Sequence, residues 1–359
     1  MKQKIKTALF IGVILGAGLN TPLQATTAKK TEQQSSKKLV APANKNTHVV
    51  NKSATKTAAH KAPAKSAAAT KPPVKSAKKS GKSVHAAVDT AKKPVRRVSY
   101  QDIDPSRLAL YSASALVIDQ STGQPLLEKH SDTVVPIASI SKLMTAMVVL
   151  DAKLDMQEVI SIGEEEIDGL KGTRSRIPVG TTMTREAAML LALMSSENRA
   201  AHALGRHYPG GMRAFVTAMN QKAKSLGMTR SSFEEPTGLS SNNVSTAKDL
   251  ARMVAAAARY PEIRGYSTTA EAKVELNGHI REFHNTNALV RSDNWEIGVS
   301  KTGYISEAGR CLVMQARVAD KPVVIVLLDS AGKMTRVGDA NRIKRWMESA
   351  SLTSDRRPV

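Results

Sequence analysis

The stretch "PIASISKLMTAM", residues 136–147, places two serines just ahead of a lysine. The apolar residues and good helix formers after Pro136 predict a helix that begins at about Ser139. Because residues three apart share a helix face, Ser139 and Lys142 can meet, whereas Ser141 points about 100° away from the lysine. An isolated Ser-x-x-Lys is also typical of a helix cap followed by a solvent-facing lysine. The rest of the chain has to decide between the two readings.

The surrounding pattern predicts an α+β (layered α/β) domain. The runs "SASALVID" and "PLLEKH", separated by "QSTGQ", indicate a hairpin. Several helical segments follow, and the β-type runs "RCLVMQARVA" and "PVVIVLLDS" come late in the chain, before a closing helix in "DANRIKRWMESA". Strands at both ends with helices between them require a sheet assembled from distant segments.

Two further motifs give the lysine stretch its meaning. Ser196-Glu197-Asn198 lies in a break between two helical segments, and Lys301-Thr302-Gly303 lies inside the strand-like run "EIGVSKTGY". Ser-x-x-Lys, Ser-x-Asn and Lys-Thr-Gly in this order are the signature of penicillin-binding proteins and serine β-lactamases.

Longer stretches narrow the resemblance. With "MSSENRAA", "FEEPTGLSSNNVSTAKDLARM" and "KTGYISEAGRCLVM", the region from about Arg107 to Glu348 resembles the D-alanyl-D-alanine endopeptidases among the low-molecular-mass penicillin-binding proteins. The resemblance implies the β-lactamase/transpeptidase-like fold, a mainly antiparallel sheet that carries the N- and C-terminal segments beside a helical cluster. It also implies hydrolysis of D-alanyl–diaminopimelate cross-links in peptidoglycan peptides, inhibition by β-lactams, and no cofactor or metal.

The resemblance assigns the catalytic roles. A serine hydroxyl must lose its proton to a neighbouring base before it can attack. Ser139 would be the nucleophile and Lys142 its base, kept partly neutral by burial and by a second cation, Lys301. Ser196 would relay the proton to the leaving amine. Ser141 would pack or cap locally.

The same resemblance assigns the substrate-binding roles. Asn198 would hold a peptide carbonyl of the substrate, and Lys301 and Thr302 would bind it from the strand. Gly303 has no side chain to block alignment of the substrate along the strand edge. The oxyanion would lie between the backbone N–H groups of the nucleophile and Tyr304.

A β-lactamase is the nearest rival. Its class A members carry an E-P-x-x-N loop whose glutamate activates the deacylating water. Glu235-Pro236 begins a similar string here, but Leu239 stands where the pattern has Asn. We therefore interpret Glu234 and Glu235 as loop or structural carboxylates and expect β-lactams to act as inhibitors.

A D-alanyl-D-alanine carboxypeptidase is the alternative kept open. In that branch an arginine in a G-R-E-A-E-type stretch holds the free carboxylate of the substrate. The stretch here is "RVGDANR", with Gly338 in the place of the arginine and Arg336 close enough to substitute. The sequence also shows no second β-domain or C-terminal amphipathic anchor after the closing helix. These departures favour an endopeptidase. A non-catalytic wall-binding protein is disfavoured by the intact motifs.

The N-terminal part has a different character. Three lysines precede the apolar run "ALFIGVILGAGL", and small residues allow a cut after Ala25, which predicts a secretory signal peptide and a periplasmic protein. Residues 26–100 carry 16 Lys and 2 Arg against Glu32 and Asp89, most of the formal net charge of +22. Such a segment cannot bury enough apolar surface to fold alone. It is expected to be a linker, either a spacer or a tether to an anionic wall or membrane surface; nucleic acid is not expected as a partner.

The predicted organisation is a signal peptide at 1–25, a disordered linker at 26–103, the peptidase domain at 104–350 and a short tail at 351–359. Cys311, the only cysteine, lies in an apolar run and is expected to be a buried structural thiol. His279 and His284 lack the spacing of a metal site and are interpreted as surface or structural residues.

Overall fold

A computed structural model of the chain describes residues 10–11 and 108–354. The described residues all belong to one compact unit. The predicted signal peptide apart from residues 10–11, the predicted linker and residues 355–359 of the predicted tail lie outside them.

The described elements follow the predicted order, with strands near both ends of the domain and most helices between them. The strands in chain order are β1 (Phe10–Ile11), β2 (Ser112–Asp119), β3 (Pro125–Lys129), β4 (Val135–Pro136), β5 (Val159–Ser161), β6 (Thr182–Thr184), β7 (Val244–Ser245), β8 (Glu271–Leu276), β9 (His279–His284), β10 (Glu296–Ile305), β11 (Gly309–Val318) and β12 (Lys321–Ser330). The helices are α1 (Lys142–Asp151), α2 (Arg185–Met194), α3 (Asn198–Arg206), α4 (Gly211–Ser225), α5 (Ala247–Ala257), α6 (Pro261–Thr268) and α7 (Thr335–Ser354).

The central sheet has the order β10-β11-β12-β2-β3 and is antiparallel throughout. The early hairpin β2–β3 joins the late strands through β2 and β12, with Val326 opposite Leu116. The predicted assembly of the sheet from distant segments is therefore confirmed. Strand β10 lies at the edge, so every second backbone N–H and C=O along it points away from the sheet. That free edge forms one wall of the cleft described below.

Two apolar cores lie on opposite faces of this sheet. Successive side chains of a strand point to opposite faces, so Leu116 packs under the helical cluster α1–α6 while Ala115 and Val117 pack against α7. Cys311 belongs to the helical side and is fully buried, which raises the pKa of its thiol to about 11 and confirms the structural thiol.

Local signals explain where the helices begin and end. Thr184 caps α2 by accepting from the N–H of Ala187, and Thr246 caps α5 by accepting from the N–H of Asp249. Gly227, with φ +71°, follows the end of α4 in the left-handed conformation that glycine tolerates. No described helix is both long and apolar enough to cross a bilayer.

Three features differ from the sequence-based expectations. The residues 138–141 form a 3₁₀ turn, and α1 begins only at Lys142. Helix α6 and the hairpin β8–β9 were not predicted, and β8 also pairs in parallel with the two residues of β1. The closing helix begins at Thr335 and runs to Ser354, past the predicted boundary at residue 350.

Candidate active site

The turn that carries Ser139 is backed closely by two glycines. Ala138 has φ +49°, an unusual conformation for a residue with a side chain. A Cβ atom on Gly238 would lie 1.9 Å from the carbonyl oxygen of Ala138, and one on Gly303 would lie 3.0 Å from the nitrogen of Ser139. A loop and the strand β10 therefore press on the same turn, which fixes the position of the serine.

Lys142 lies one turn after Ser139, as the spacing predicts, and it is almost completely buried. Its Nζ is 2.8 Å from Ser139 Oγ, 2.8 Å from Asn198 Oδ1 and 2.7 Å from the carbonyl oxygen of Thr237. Carbonyl and amide oxygens can only accept hydrogen bonds. In the neutral amine the two hydrogens go to Asn198 and Thr237, which leaves the lone pair directed at the hydroxyl of Ser139.

Electrostatics favour that neutral form. Burial lowers the pKa of Lys142 to about 7, although the nearby carboxylates of Glu235 and Glu197 work in the opposite direction. Burial is thus the main cause. Lys301 was expected from the sequence to contribute to this lowering of the Lys142 pKa.

Ser141 lies on another side of the turn. Its Oγ donates to the carbonyl oxygen of Ala138 at 2.9 Å and accepts from Asn243 Nδ2 at 3.0 Å. The side chain is buried and its hydroxyl is occupied by these two bonds. The local structural role expected for Ser141 is confirmed.

The second motif contacts the third. We call the space between α1 with the α2–α3 break (the helical wall) and the edge strand β10 (the sheet wall) the cleft. Ser196, in the break between α2 and α3, has φ +62° and its Oγ lies 2.9 Å from Lys301 Nζ. Lys301, on β10, also donates to the carbonyl oxygen of Thr302 at 2.9 Å. Burial lowers the pKa of Lys301 well below its usual value, with Lys142 and Arg336 as further causes. The cleft therefore holds two buried lysines, one on the helical wall and one on the sheet wall.

The remaining predicted binding residues line the sheet wall. Thr302 is buried and its Oγ1 lies 2.7 Å from Thr286 Oγ1, whereas the side chain of Tyr304 is 58% exposed. The guanidinium of Arg310 lies 4.5 Å above the ring of Tyr304. All eight predicted site residues thus lie on the two facing walls of one cleft.

Gly338, which stands in the place of the carboxypeptidase arginine, lies away from the two lysines. A Cβ atom on Gly338 would point at Arg342, 3.0 Å from its Nη1, a residue whose guanidinium lies over Tyr111. Arg336 instead acts on the pKa of Lys301, and its buried Nη1 has no hydrogen-bond partner within the described part of the chain. Arg336, two positions earlier on α7 and about 200° away around the helix, is thus the residue of this stretch that acts electrostatically on Lys301.

Glu235 has the structural role expected of it. Its carboxylate accepts from the N–H groups of Thr237 and Gly238 at 2.6 Å each and from the Thr237 hydroxyl at 2.5 Å. These bonds shape the loop that presents the Thr237 carbonyl to Lys142.

Two contributors to the site were missed by sequence reasoning. One is the carbonyl of Thr237, since a backbone oxygen leaves no mark in the sequence. The other is Glu197, a buried carboxylate that accepts from Ser175 Oγ at 2.7 Å and Arg176 Nε at 2.8 Å. The available signal for Glu197 was its charge at the middle position of the Ser-x-Asn motif.

One group of potential metal ligands lies on the hairpin β8–β9. The ligand atoms of Glu271, Glu282 and His284 lie within 4.8 Å of one another, a proximity that the sequence spacing did not reveal. All three residues are exposed and none belongs to the cleft, and exposed acidic groups are common without an ion. We assign no metal role to them.

Comparison with known proteins agrees with this geometry. Residues 101–332 match the family described as D-alanyl-D-alanine carboxypeptidase. The chain is 49% identical over 252 residues to a D-alanyl-D-alanine endopeptidase of Pseudomonas aeruginosa, covering 70% of this chain and 81% of that protein. It is 47% identical over 249 residues to a D-alanyl-D-alanine endopeptidase of Escherichia coli, covering 69% and 80%. Among solved structures, the Streptomyces K15 DD-transpeptidase superimposes with a TM-score of 0.62 at 26% identity, over 66% of this chain and 97% of that one.

Proposed function

The chain belongs to the D-alanyl-D-alanine carboxypeptidase family of serine peptidases, and from this membership we propose that it is a DD-endopeptidase of peptidoglycan. It hydrolyses D-alanyl–diaminopimelate cross-links through an acyl-enzyme on Ser139. One observation carries the proposal: Lys142 Nζ lies 2.8 Å from Ser139 Oγ while two carbonyl oxygens occupy its N–H groups.

Acylation follows from that arrangement. Ser139 Oγ attacks the carbonyl carbon of the substrate D-alanine as its proton passes to Lys142. The oxyanion is stabilised between the backbone N–H groups of Ser139 and Tyr304, and one such donor is typically worth about 2.7–4 kcal/mol. Ser196 then relays that proton from Lys142 to the departing amine of diaminopimelate, so that Lys142 and Ser196 both return to their starting forms. Water hydrolyses the ester and releases the donor peptide.

Inhibition by β-lactams has the same origin. A β-lactam acylates Ser139 as the substrate does, but hydrolysis of that ester needs a base for the deacylating water. Glu235 is the carboxylate in the position nearest to the class A pattern, and its oxygens are occupied by hydrogen bonds of its own loop. In the penicilloyl ester the expelled ring nitrogen also stays attached to the acyl group and occupies the place where water would enter, so this ester persists whereas the peptidyl ester, whose amine departs, is hydrolysed.

Endopeptidase and carboxypeptidase activity differ in the bond that is cleaved, the cross-link or the bond to the terminal D-alanine. The names of the two relatives at 49% and 47% identity support an endopeptidase. The position of Arg336 supports carboxypeptidase activity as the second candidate. A terminal carboxylate entering the cleft needs a cation to replace its lost hydration. The buried Nη1 of Arg336 has no hydrogen-bond partner among the described residues, and its charge acts on Lys301.

Chromatography of digested muropeptides decides between them. We expect cleavage of the cross-linked dimer to be faster than release of D-alanine from the pentapeptide monomer. If Arg336 binds the terminal carboxylate of the pentapeptide, Arg336→Ala should lower the release of D-alanine; it should lower dimer cleavage as well, because the diaminopimelate carbon that bears the scissile nitrogen keeps its own carboxylate. Faster hydrolysis of the monomer than of the dimer by the unaltered protein would assign it as a carboxypeptidase.

The place of action follows from the substrate. Relatives with this activity are peptidoglycan enzymes, and the predicted signal peptide supports export to the periplasm. The basic segment 26–103 serves as a tether that holds the enzyme near anionic wall or membrane surfaces. Its charge, 16 Lys and 2 Arg in residues 26–100, supports this role.

A further inference from the structure

An ion pair crosses the cleft beyond the catalytic residues. Lys171 belongs to the loop 167–173 that follows the helical wall, and Glu307 belongs to the turn between β10 and β11 on the sheet wall. Their ammonium and carboxylate groups contact each other directly, and both side chains are partly exposed. The two walls of the cleft are thus joined at one end by one positive and one negative group.

The loop that carries Lys171 is built to hold it there. Asp168 accepts from the N–H groups of Leu170, Lys171 and Thr173 at 2.8–2.9 Å, and from the Thr173 hydroxyl at 2.6 Å. Thr173 Oγ1 in turn accepts from Asn198 Nδ2 at 3.0 Å. A short chain of contacts therefore runs from Lys142 through Asn198 to the loop of Lys171.

Strand polarity tells which end of the cleft the pair occupies. Along β10 the order is Lys301, Thr302, Gly303 and Tyr304, and Glu307 follows two residues after the end of the strand. In the proposed mechanism the leaving group lies toward Lys301 and the oxyanion lies at Tyr304. The acyl-donor peptide therefore extends past Tyr304 toward Glu307.

The chemistry of that donor matches the pair. The residue before the reacting D-alanine is diaminopimelate, whose side chain ends in an ammonium and a carboxylate on one carbon. Glu307 stays ionised because Lys171 and the Ser306 hydroxyl, 2.8 Å away, lower the pKa of its carboxyl to about 2. Since an ion pair between exposed groups is worth little on its own, exchanging it for contacts with a ligand costs little.

We propose that Lys171 and Glu307 form a subsite for an α-amino acid zwitterion, the end of the diaminopimelate side chain in the acyl donor. Lys171 binds its carboxylate and Glu307 binds its ammonium, so the protein pair opens and each partner is replaced by the matching group of the substrate. This inference rests on the proposed function, because it assumes that the donor peptide lies along β10.

The subsite makes the donor residue decisive for rate. A donor with lysine at this position keeps the ammonium but lacks the carboxylate, so it should bind Glu307 only. Amidation of the diaminopimelate carboxylate removes its negative charge and keeps nearly the same size, so the amidated donor matches diaminopimelate more closely than lysine does. A donor whose side-chain amine is itself cross-linked lacks the ammonium and should lose the contact with Glu307.

The test compares three cross-linked dimers that differ only in the donor residue: diaminopimelate, amidated diaminopimelate and lysine. The unaltered protein should prefer the diaminopimelate dimer by about two- to fivefold in kcat/KM, as expected for one exposed ion pair. Lys171→Met should remove most of this preference by slowing the diaminopimelate dimer, and Glu307→Gln should slow all three dimers. Lys224→Met, which removes a positive charge at the end of α4, is the matched control and should keep the preference.

Two outcomes would overturn the subsite. Equal losses on all three dimers in Lys171→Met would make the pair a structural link between the walls. Faster cleavage of all dimers in both variants would show that the ion pair hinders entry of the substrate into the cleft. Labelling of the unaltered protein by a fluorescent penicillin is measured alongside: if Ser139 is not labelled, the proposed function fails, and if it is labelled without donor discrimination, only the subsite fails.

Discussion

The two walls of the cleft each bury a lysine to 1% exposure, but they surround it differently. On the helical wall, Lys142 has two carbonyl acceptors and lies near the carboxylates of Glu197 and Glu235. On the sheet wall, Lys301 has the Ser196 hydroxyl and the carbonyl of its own neighbour, and its other charged neighbours are cations. Burial alone therefore does not define a catalytic base.

The partners define the difference. The acceptors of Lys142 take its hydrogens and leave a lone pair on the nucleophile, whereas Lys301 joins Arg336 in a positively charged region suited to an anionic or oxygen-rich substrate group. The two lysines are also coupled, because a neutral Lys142 no longer repels the charge on Lys301. The first three predictions below each alter one wall and leave the other in place, and the fourth alters neither.

The largest effect is expected for the nucleophile on the helical wall. Ser139→Ala should abolish labelling by fluorescent penicillin and cleavage of cross-linked dimers, since no other hydroxyl lies against Lys142 Nζ among the described contacts. Ser141→Ala is the matched control and should still be labelled, with some loss of stability because Asn243 loses a partner. Labelling of Ser139→Ala, or an adduct mapped to Ser141, would break the assignment of this wall.

The next effect belongs to the sheet wall. Lys301→Met should lower the rate of acylation by about 10²–10³, the range seen when one electrostatic group of an acyl-transfer site is removed. Its thermal unfolding should be unchanged or shifted upward, because an apolar side chain of similar length replaces a buried amine whose burial is unfavourable. A loss of activity that follows a loss of folding, measured by circular dichroism on the same samples, would count against a direct role.

A smaller loss is expected from the loop that supports the helical wall. Gly238→Ala places a Cβ against the carbonyl of Ala138 and strains a backbone with φ +82°, so it should destabilise the protein and slow acylation by about tenfold. Gly123→Ala, in the turn between β2 and β3, is the control: it has φ +71° but open space at the Cβ. Equal effects of both substitutions on acylation would show that backbone strain, and not the contact with Ala138, accounts for the change.

The smallest effect on chemistry is expected outside the cleft. A protein that starts near Asp104 should hydrolyse soluble dimers at the rate of the full chain, because every predicted site residue lies between Ser139 and Tyr304. Its binding to isolated sacculi should be weaker, and binding of the full chain should fall as salt rises. Unchanged sacculus binding at low salt after truncation would reduce the segment to a spacer.

Much of the cleft was predictable because its side chains fall in short motifs with fixed spacing. Ser139 and Lys142 are three residues apart, so they meet in either a 3₁₀ turn or an α-helix, and the wrong helix start did no harm to the pairing. The sheet was predictable for a similar reason, since β2, β11 and β12 are alternating or continuous apolar runs.

The rest was hidden for identifiable reasons. The hairpin β8–β9 had a signal that went unused: Asn277 and Gly278 both have positive φ between two alternating runs, the mark of a tight hairpin turn. The Thr237 carbonyl and the contact of Gly238 with Ala138 had none, because they arise from backbone atoms brought together by folding. Arg336 was not expected to lie on a helix, because the closing helix was predicted to begin at about Asp339, whereas α7 begins at Thr335.

The measurement that tests the account most directly is the pH dependence of penicillin acylation at Ser139, followed by mass spectrometry of the labelled peptide. Burial places the pKa of Lys142 at about 7, below its ordinary value, so the fraction of neutral amine rises as pH increases through 7. The account predicts an acylation rate that increases with pH below about 7 and levels off above it. A rate that is flat between pH 5 and 7, or that falls as the pH rises through this range, would contradict the claim that a buried neutral Lys142 activates Ser139.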